Sequence, residues 1–193
     1  MATELGPSSF HTPVSASASP NPVCQLNNTL TLTGAQTGGS ASSTTTTYSW
    51  TGPVGSGFTS SSQNPTITSI TNANAGTYSL TATNACGTSA IATTSSVSIT
   101  PTPSGVSASS TVSPCVGNSL SLSSVATNAN SYSWAGPSSF TSSVQNPTVS
   151  SSSTTAMAGT YTVSATNCSG STTATTQVAF PTAPTSAGGI YSH

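Results

Sequence analysis

The sequence contains no lysine and no arginine, and Glu4 is its only acidic residue. Each absence removes a class of function. With no cation to neutralise phosphate, nucleic acid is excluded as a partner, and electrostatic attachment to an anionic membrane surface is excluded with it. Hydrolysis by paired carboxylates needs two of them, and a Ser-His-Asp triad needs an aspartate that is missing. The only imidazoles, His11 and His193, lie near the two ends and read as exposed tail residues. No glycine-rich loop leads into a helix carrying a lysine, so no phosphate cradle is expected. The four cysteines form no CxxC pair and have no nearby histidine, which speaks against zinc. No enzymatic activity, cofactor or metal is expected. Long apolar runs are also missing: nothing approaches the ~18 residues of a membrane helix. The opening MATELGPSSFHTP lacks the basic region and apolar run of a secretory signal, so the chain reads as a mature form or an incomplete gene model.

What is present is written twice. YSWTGPVGSGFTSSSQNPT begins at Tyr48 and YSWAGPSSFTSSVQNPT at Tyr132, with Trp50 and Trp134 separated by 134 − 50 = 84 residues. Apolar residues make up 33% of the chain, low for a globular protein, which raises disorder as a possibility. The repeated aromatics and alternating apolar positions argue for packed sheets instead. Two units are expected, at residues 14–100 and 105–180, with a linker at 101–104 and tails at 1–13 and 181–193. Gly, Pro, Ser, Thr and Asn interrupt every window, and no apolar pattern of helical period lasts two turns. Strand patterns recur in one order: VSASAS, TLTLTG, TTTTYSW, PTITSI, GTYSLTAT and SAIATTSSVSI, then GVSASSTVS, SLSLSSV, ANSYSW, PTVSS, GTYTVSAT and TATTQVAF. Turns are expected at GPVGSG, QNP, NANAG and NACG and at their counterparts.

ANAGTYSLTATN and AMAGTYTVSATN resemble the D-x-G-x-Y-x-C segment of immunoglobulin domains, and Trp50 and Trp134 stand where such domains place a core tryptophan on the third strand. Nearly the whole chain outside its tails resembles the tandem Ig-like repeats of secreted bacterial surface proteins and adhesins. The resemblance implies an all-β chain of two tandem Ig-like β-sandwiches and says little about function. It implies that Tyr78 and Tyr161 are corner tyrosines whose hydroxyls bond nearby backbone. Tyr48 and Tyr132 are expected beside the tryptophans, and Phe58 and Phe140 at the sandwich edges. Ala73 and Thr155 fall near the family's aspartate, so its usual ionic tether is missing. Leu80 and Val163 take the position of the second intradomain cysteine, so packing of Leu80 against Leu32 and of Val163 against Leu122 is expected in place of the inter-sheet disulfide.

In this fold strands B and F run the same way. Cys24 then lies 32 − 24 = 8 residues before Leu32, and Cys86 lies 86 − 80 = 6 residues after Leu80, about 26 Å and 20 Å in opposite directions at ~3.3 Å per residue. A disulfide requires Cα atoms roughly 4.4–6.8 Å apart. A head-to-tail arrangement of domains would bring Cys24 beside Cys168 and leave Cys86 and Cys115 for neighbouring molecules. The alternative is a bond within each domain, Cys24 with Cys86 and Cys115 with Cys168. Either choice points to an oxidising, extracellular location.

Asn27 and Asn167 fit the N-x-S/T acceptor pattern, and the runs Ser42–Thr47 and Ser150–Thr155 could carry O-glycans that hydrate a neutral surface. Leu5, Phe10, Ile190 and Tyr191 lie outside either core, as candidates for docking on a neighbouring subunit. The reading that best unites these features is a non-enzymatic extracellular structural protein, a self-associating subunit of a cell-surface filament. The alternative is an adhesin module whose loops GAQTGGSASST and SVATNANS touch a glycan or protein; an enzyme's accessory domain would need a catalytic partner elsewhere.

Overall fold

Strict alternation of small polar with apolar residues builds the long strands of this chain, because successive side chains leave a strand on opposite faces. The computed structural model describes residues 14–26, 28–36, 46–84, 87–111 and 115–181. Among them there is no α-helix, only three single-turn 3₁₀ segments. The described residues divide into two compact units, one running up to Pro101 together with Cys168–Gly170, the other comprising Thr102–Asn167 and those from Ser171 onward.

The first unit contains β1 (Val14–Ser19), β2 (Val23–Cys24), β3 (Leu30–Gln36), β4 (Thr47–Thr51), β5 (Thr59–Ser60), β6 (Thr66–Ile67), β7 (Ser79–Asn84), β8 (Gly87–Thr88), β9 (Ala92–Thr93) and β10 (Ile99–Thr100). One sheet has the order β1-β3-β6; the other runs β5-β4-β7-β8, with β9 also on β7. Between them lie Leu30, Leu32, Trp50, Ile70, Tyr78, Leu80 and Val97, all at most 1% exposed. Tyr48, Phe58 and Ile67 pack on this cluster from its margins.

The second unit repeats the plan with longer strands: β11 (Ser104–Thr111), β12 (Leu120–Thr127), β13 (Ser131–Gly136), β14 (Phe140–Ser142), β15 (Thr148–Ser150), β16 (Gly159–Asn167) and β17 (Gly170–Val178). Its sheets are β11-β12-β15 and β14-β13-β16-β17. Leu120, Leu122, Trp134, Tyr161, Val163 and Val178 form the buried cluster, flanked by Tyr132 and Phe140. The first unit thus sets β1-β3-β6 against β5-β4-β7-β8 and the second sets β11-β12-β15 against β14-β13-β16-β17, so each unit is an Ig-like sandwich and the chain is all-β.

The repeated motifs are contacts that recur in both units. Tyr78 donates its hydroxyl to the Asn74 carbonyl at 2.8 Å and Tyr161 donates to Met157 at 3.0 Å, each four residues back. Phe58 and Phe140 meet these tyrosine rings edge-on at 5.7 Å. A side chain at Gly136 would overlap the Tyr161 ring, which is why the AGP turn carries glycine. Near the position of the missing aspartate, buried Asn74 supplies a neutral tether, its Oδ1 accepting from the Thr71 N–H at 2.8 Å.

Two local expectations required correction. SAIATTSSVSI is not one strand but β9, an isolated bridge between Gly76 and Val97, and β10. The PVC segment, which the sequence pattern left unassigned, forms β2 and pairs parallel to β10 through Val23–Ile99 and Cys24–Thr100.

Candidate functional site

Cys24 stands on β2, held in place by the Val23 N–H to the Ser98 carbonyl at 2.9 Å and the Gln25 N–H to the Thr100 carbonyl at 3.0 Å. Cys168 occupies the two-residue turn between β16 and β17. The two form a disulfide with Cα atoms 5.7 Å apart and 144 residues between them in sequence. Beside it Ser169 donates its hydroxyl to the Thr100 carbonyl, the residue that pairs with Cys24. The three residues Cys168–Gly170 accordingly group with the first unit. Pairing of Cys115 with Cys168 is overturned, since Cys24 already holds the Cys168 sulfur. Cys115 is an exposed free thiol, and Cys86 lies outside the described residues.

The cysteines occupy repeat-equivalent places. Cys24 and Cys115 each precede the LTLT or LSLS strand, and Cys86 and Cys168 each follow the TATN or SATN segment. The disulfide therefore joins the leading cysteine of one repeat to the trailing cysteine of the other. Leu26, two residues after Cys24, is 66% exposed and adopts φ 73°; Gly117, two residues after Cys115, adopts φ 96°. The first repeat thus puts an exposed leucine in a backbone conformation that favours glycine.

Asn167 is 8% exposed, and its Nδ2, the atom a glycan would take, donates to the Asn128 carbonyl at 2.7 Å. That bond and the Asn130 N–H to the Thr166 carbonyl at 2.8 Å also tie down the SVATNANS loop. In the run Ser150–Thr155, Ser153 is buried and the Ser150 hydroxyl is committed to the Ser152 carbonyl. Asn27, most of the GAQTGGSASST loop, Leu5, Phe10, Ile190 and Tyr191 lie outside the described residues, as do His11 and His193. Among the described residues, no three His, Cys, Asp or Glu side chains gather to hold a metal, and no helix is long and apolar enough to cross a membrane.

The sequence pattern marks QNP only as a turn, but in the structure its side chains replace a missing strand neighbour. Gln63 Nε2 donates to the Gly34 carbonyl at 2.9 Å, and Asn64 Oδ1 accepts from the Gly34 N–H at 3.0 Å. Gln145 and Asn146 treat Ser124 identically, at 2.9 and 3.0 Å. The Gln63 and Gln145 carbonyls accept the indole N–H of Trp50 and Trp134, both at 3.1 Å. Recurrence of QNP after each tryptophan, 13 residues on in the first unit and 11 in the second, was the available signal.

The second unit also carries an open hollow of about 470 Å³ lined by Tyr132, Ser133, Thr141, Ser142 and Ser143. It forms where β13 extends past β14: Trp134 is opposite Ser142, the last residue of β14, so Tyr132 and Ser133 have no partner on that side among the described residues. The lining is one aromatic face among hydroxyls, with no charge.

Residues 11–97 match the PKD-like domain family. No curated protein matches the chain. Among solved structures it is similar to the three N-terminal domains of the bacteriophage RB49 highly immunogenic outer capsid protein (Hoc), at 17% identity and a TM-score of 0.47, over 86% of this chain and 58% of that one. It is also similar to murine CEACAM1b, at 12% identity and a TM-score of 0.42, over 88% of this chain and all of the other. A third likeness is to the amphioxus IgVJ-C2 molecule, at 15% identity and a TM-score of 0.37, over 80% of this chain and 98% of the other.

Proposed function

We propose that this chain is a non-enzymatic structural protein of the cell exterior, a unit of a surface filament assembled head to tail. The observation that carries the reading is the Cys24–Cys168 disulfide, which links a leading to a trailing cysteine while the equivalent leading cysteine, Cys115, stays exposed and unpaired. The same chemistry repeated between molecules joins Cys115 of one copy to Cys86 of the next. Two thiols then lose two protons and two electrons, which an external low-molecular-weight disulfide accepts as it becomes two thiols. Such a contact is heterologous and propagates into an open chain unless it closes into a ring. The tail residues Leu5, Phe10, Ile190 and Tyr191 dock on neighbours in this scheme.

Negative-stain electron microscopy of native material with and without reductant tests the assembly, and peptide mass spectrometry without reduction tests the link. Fibres that weaken on reduction and a Cys86–Cys115 peptide pair are expected. Dispersed two-domain particles with both thiols free would refute the filament.

A second reading rests on the Tyr132 hollow, whose neutral hydroxylated lining suits a saccharide stacked on the tyrosine ring. It makes the chain an adhesin module, and saccharide binding lost in Tyr132→Ala is the result that would support it.

A further inference from the structure

A sheet edge offers unpaired N–H and C=O groups to any other strand, and proteins blunt such edges with shortness, proline, charge or a bulge. Nearly every edge of both units carries such a device. β5, β6, β8, β9, β14 and β15 are two or three residues long. β1 is followed at once by Pro20 and by Pro22. β11 has a register shift between Ser104 and Ser107, with Gly105 at φ +61°.

β17 has none of these. It is a nine-residue terminal strand of its sheet, without proline or charge, and its burial alternates evenly to the buried Val178. Its inner side is fixed to β16, where Thr166 and Ser171 share a hydrogen bond at 2.8 Å and Thr160 donates to Gln177 at 2.7 Å. Among the described residues, no strand pairs with its outer side.

The sequence of β17 also says what fits there. Residues 172–176 read Thr-Thr-Ala-Thr-Thr, the same in both directions about Ala174. An antiparallel partner strand reverses direction, so a two-fold pairing of this strand with its own copy about Ala174 sets threonine opposite threonine on both faces. We infer that β17 pairs antiparallel with β17 of a second copy about a two-fold axis at Ala174. Thr173 then lies opposite the second copy's residue 175 on the solvent face, and Thr172 opposite its residue 176 on the other. Gly170 and Val178 mark the two ends of the overlap, so the full nine residues take part. Facing threonines are favourable cross-strand pairs, and a chain with one acidic residue and no lysine or arginine approaches its copy with little like-charge repulsion. The contact is isologous and closes as a dimer. It goes beyond the head-to-tail filament, which needs no lateral contact, and does not depend on it.

The test uses the full chain with free thiols alkylated and the Cys24–Cys168 bond intact, which removes intermolecular disulfides and separates this contact from the filament reading. Sedimentation velocity should detect a reversible dimer. Thr173→Lys with Thr175→Lys sets lysine opposite lysine twice across the axis and should raise the dimer Kd roughly tenfold or more. Thr173→Lys with Thr175→Glu sets opposite charges at the same pairs and should restore the dimer. Unchanged near-ultraviolet circular dichroism certifies the fold of each variant. A wild-type chain still monomeric at about 1 mM, a Lys/Lys variant that dimerises like wild type, or a Lys/Glu variant that fails to recover would each overturn the pairing.

Discussion

Replacing Asn146 by alanine removes the acceptor for a buried main-chain donor. Its Oδ1 takes the Ser124 N–H at 3.0 Å and the Ser123 hydroxyl at 3.1 Å, and Ser124 is 2% exposed. Leaving an inward-facing N–H without its partner costs about 1 to 3 kcal/mol, whereas an ordinary exposed hydrogen bond contributes about 1. Because Asn146 itself is exposed, water replaces part of the lost contact, and a loss of about 1 to 2 kcal/mol is expected. Asn146→Asp keeps the acceptor and tolerates its charge at that exposed position, so it should stay within about 0.5 kcal/mol of wild type.

The two tryptophans make this measurable. In a Trp50→Phe background Trp134 is the only indole, and its fluorescence reports urea unfolding of the second unit alone. With a urea dependence of about 1 kcal/mol per molar, Asn146→Ala should lower the midpoint by about 1 to 2 M. Equal losses in the Ala and Asp variants would refute the acceptor argument, as would no loss in either.

Burial raises the Tyr78 hydroxyl pKa above its ordinary 10.0, partly offset by the hydrogen bond to Asn74, and burial raises that of Tyr161. A raised folded-state pKa gives stability that is full below the ordinary value and lost as pH climbs through the folded values. Urea midpoints should therefore hold to about pH 9 and fall above about 10, and Tyr78→Phe with Tyr161→Phe should flatten that fall at a cost of about 1 kcal/mol per hydroxyl near neutrality. Removing the Cys24–Cys168 bond opens a loop of 144 residues, for which chain entropy sets an upper bound of about 5 kcal/mol; calorimetry of Cys24→Ser with Cys168→Ser should show a lower thermal midpoint, and an unchanged one would refute a structural role. Leu26→Gly should gain up to about 1 kcal/mol by relieving the positive φ, and Gly117→Leu, with open space around it, should lose about as much through the backbone alone; thermal midpoints moving the same way in both would refute this.

The sandwich was legible because its signals are local. Leu30-Thr31-Leu32 and Ser79-Leu80-Thr81 state their faces by alternation, and Trp50 and Tyr78 fix which strands they belong to. Features decided by distant partners were less legible. Nothing in PVC says that β2 leaves β3's sheet to run beside β10, because that pairing depends on residues 75 positions away (98 − 23 = 75). Asn167 matched an acceptor pattern that carries no information on burial, and its amide is spent on Asn128. The Gln–Asn clamp was visible as a repetition, but its chemistry needs Gly34 and Ser124 brought alongside by the folded sheet.

The uncharged composition and the abundance of side-chain amides and hydroxyls belong to one design. Charged residues normally keep a surface soluble and mark strand edges as closed. Here polar groups turn inward to main-chain partners: Asn64 and Asn146 cap a strand side, Thr172 donates to the Pro103 carbonyl at 2.7 Å, and Ser124 donates to Gln145 at 3.1 Å. Among the described residues, no buried side-chain nitrogen or oxygen lacks a partner. Register is thereby fixed without ion pairs, and edges are blunted by shortness, proline and bulge rather than by lysine. A chain built this way has no electrostatic term with which to refuse its own copies, so the places left open decide how it associates. Among the described residues of the second unit, two such places stand open, the Cys115 thiol and the outer side of β17. In the assembly proposed above the first propagates covalently along a chain of copies and the second closes laterally between two, so reductant should act on length while charge at residues 173 and 175 should act on lateral pairing. An assembly in which either treatment abolished both at once would contradict this division.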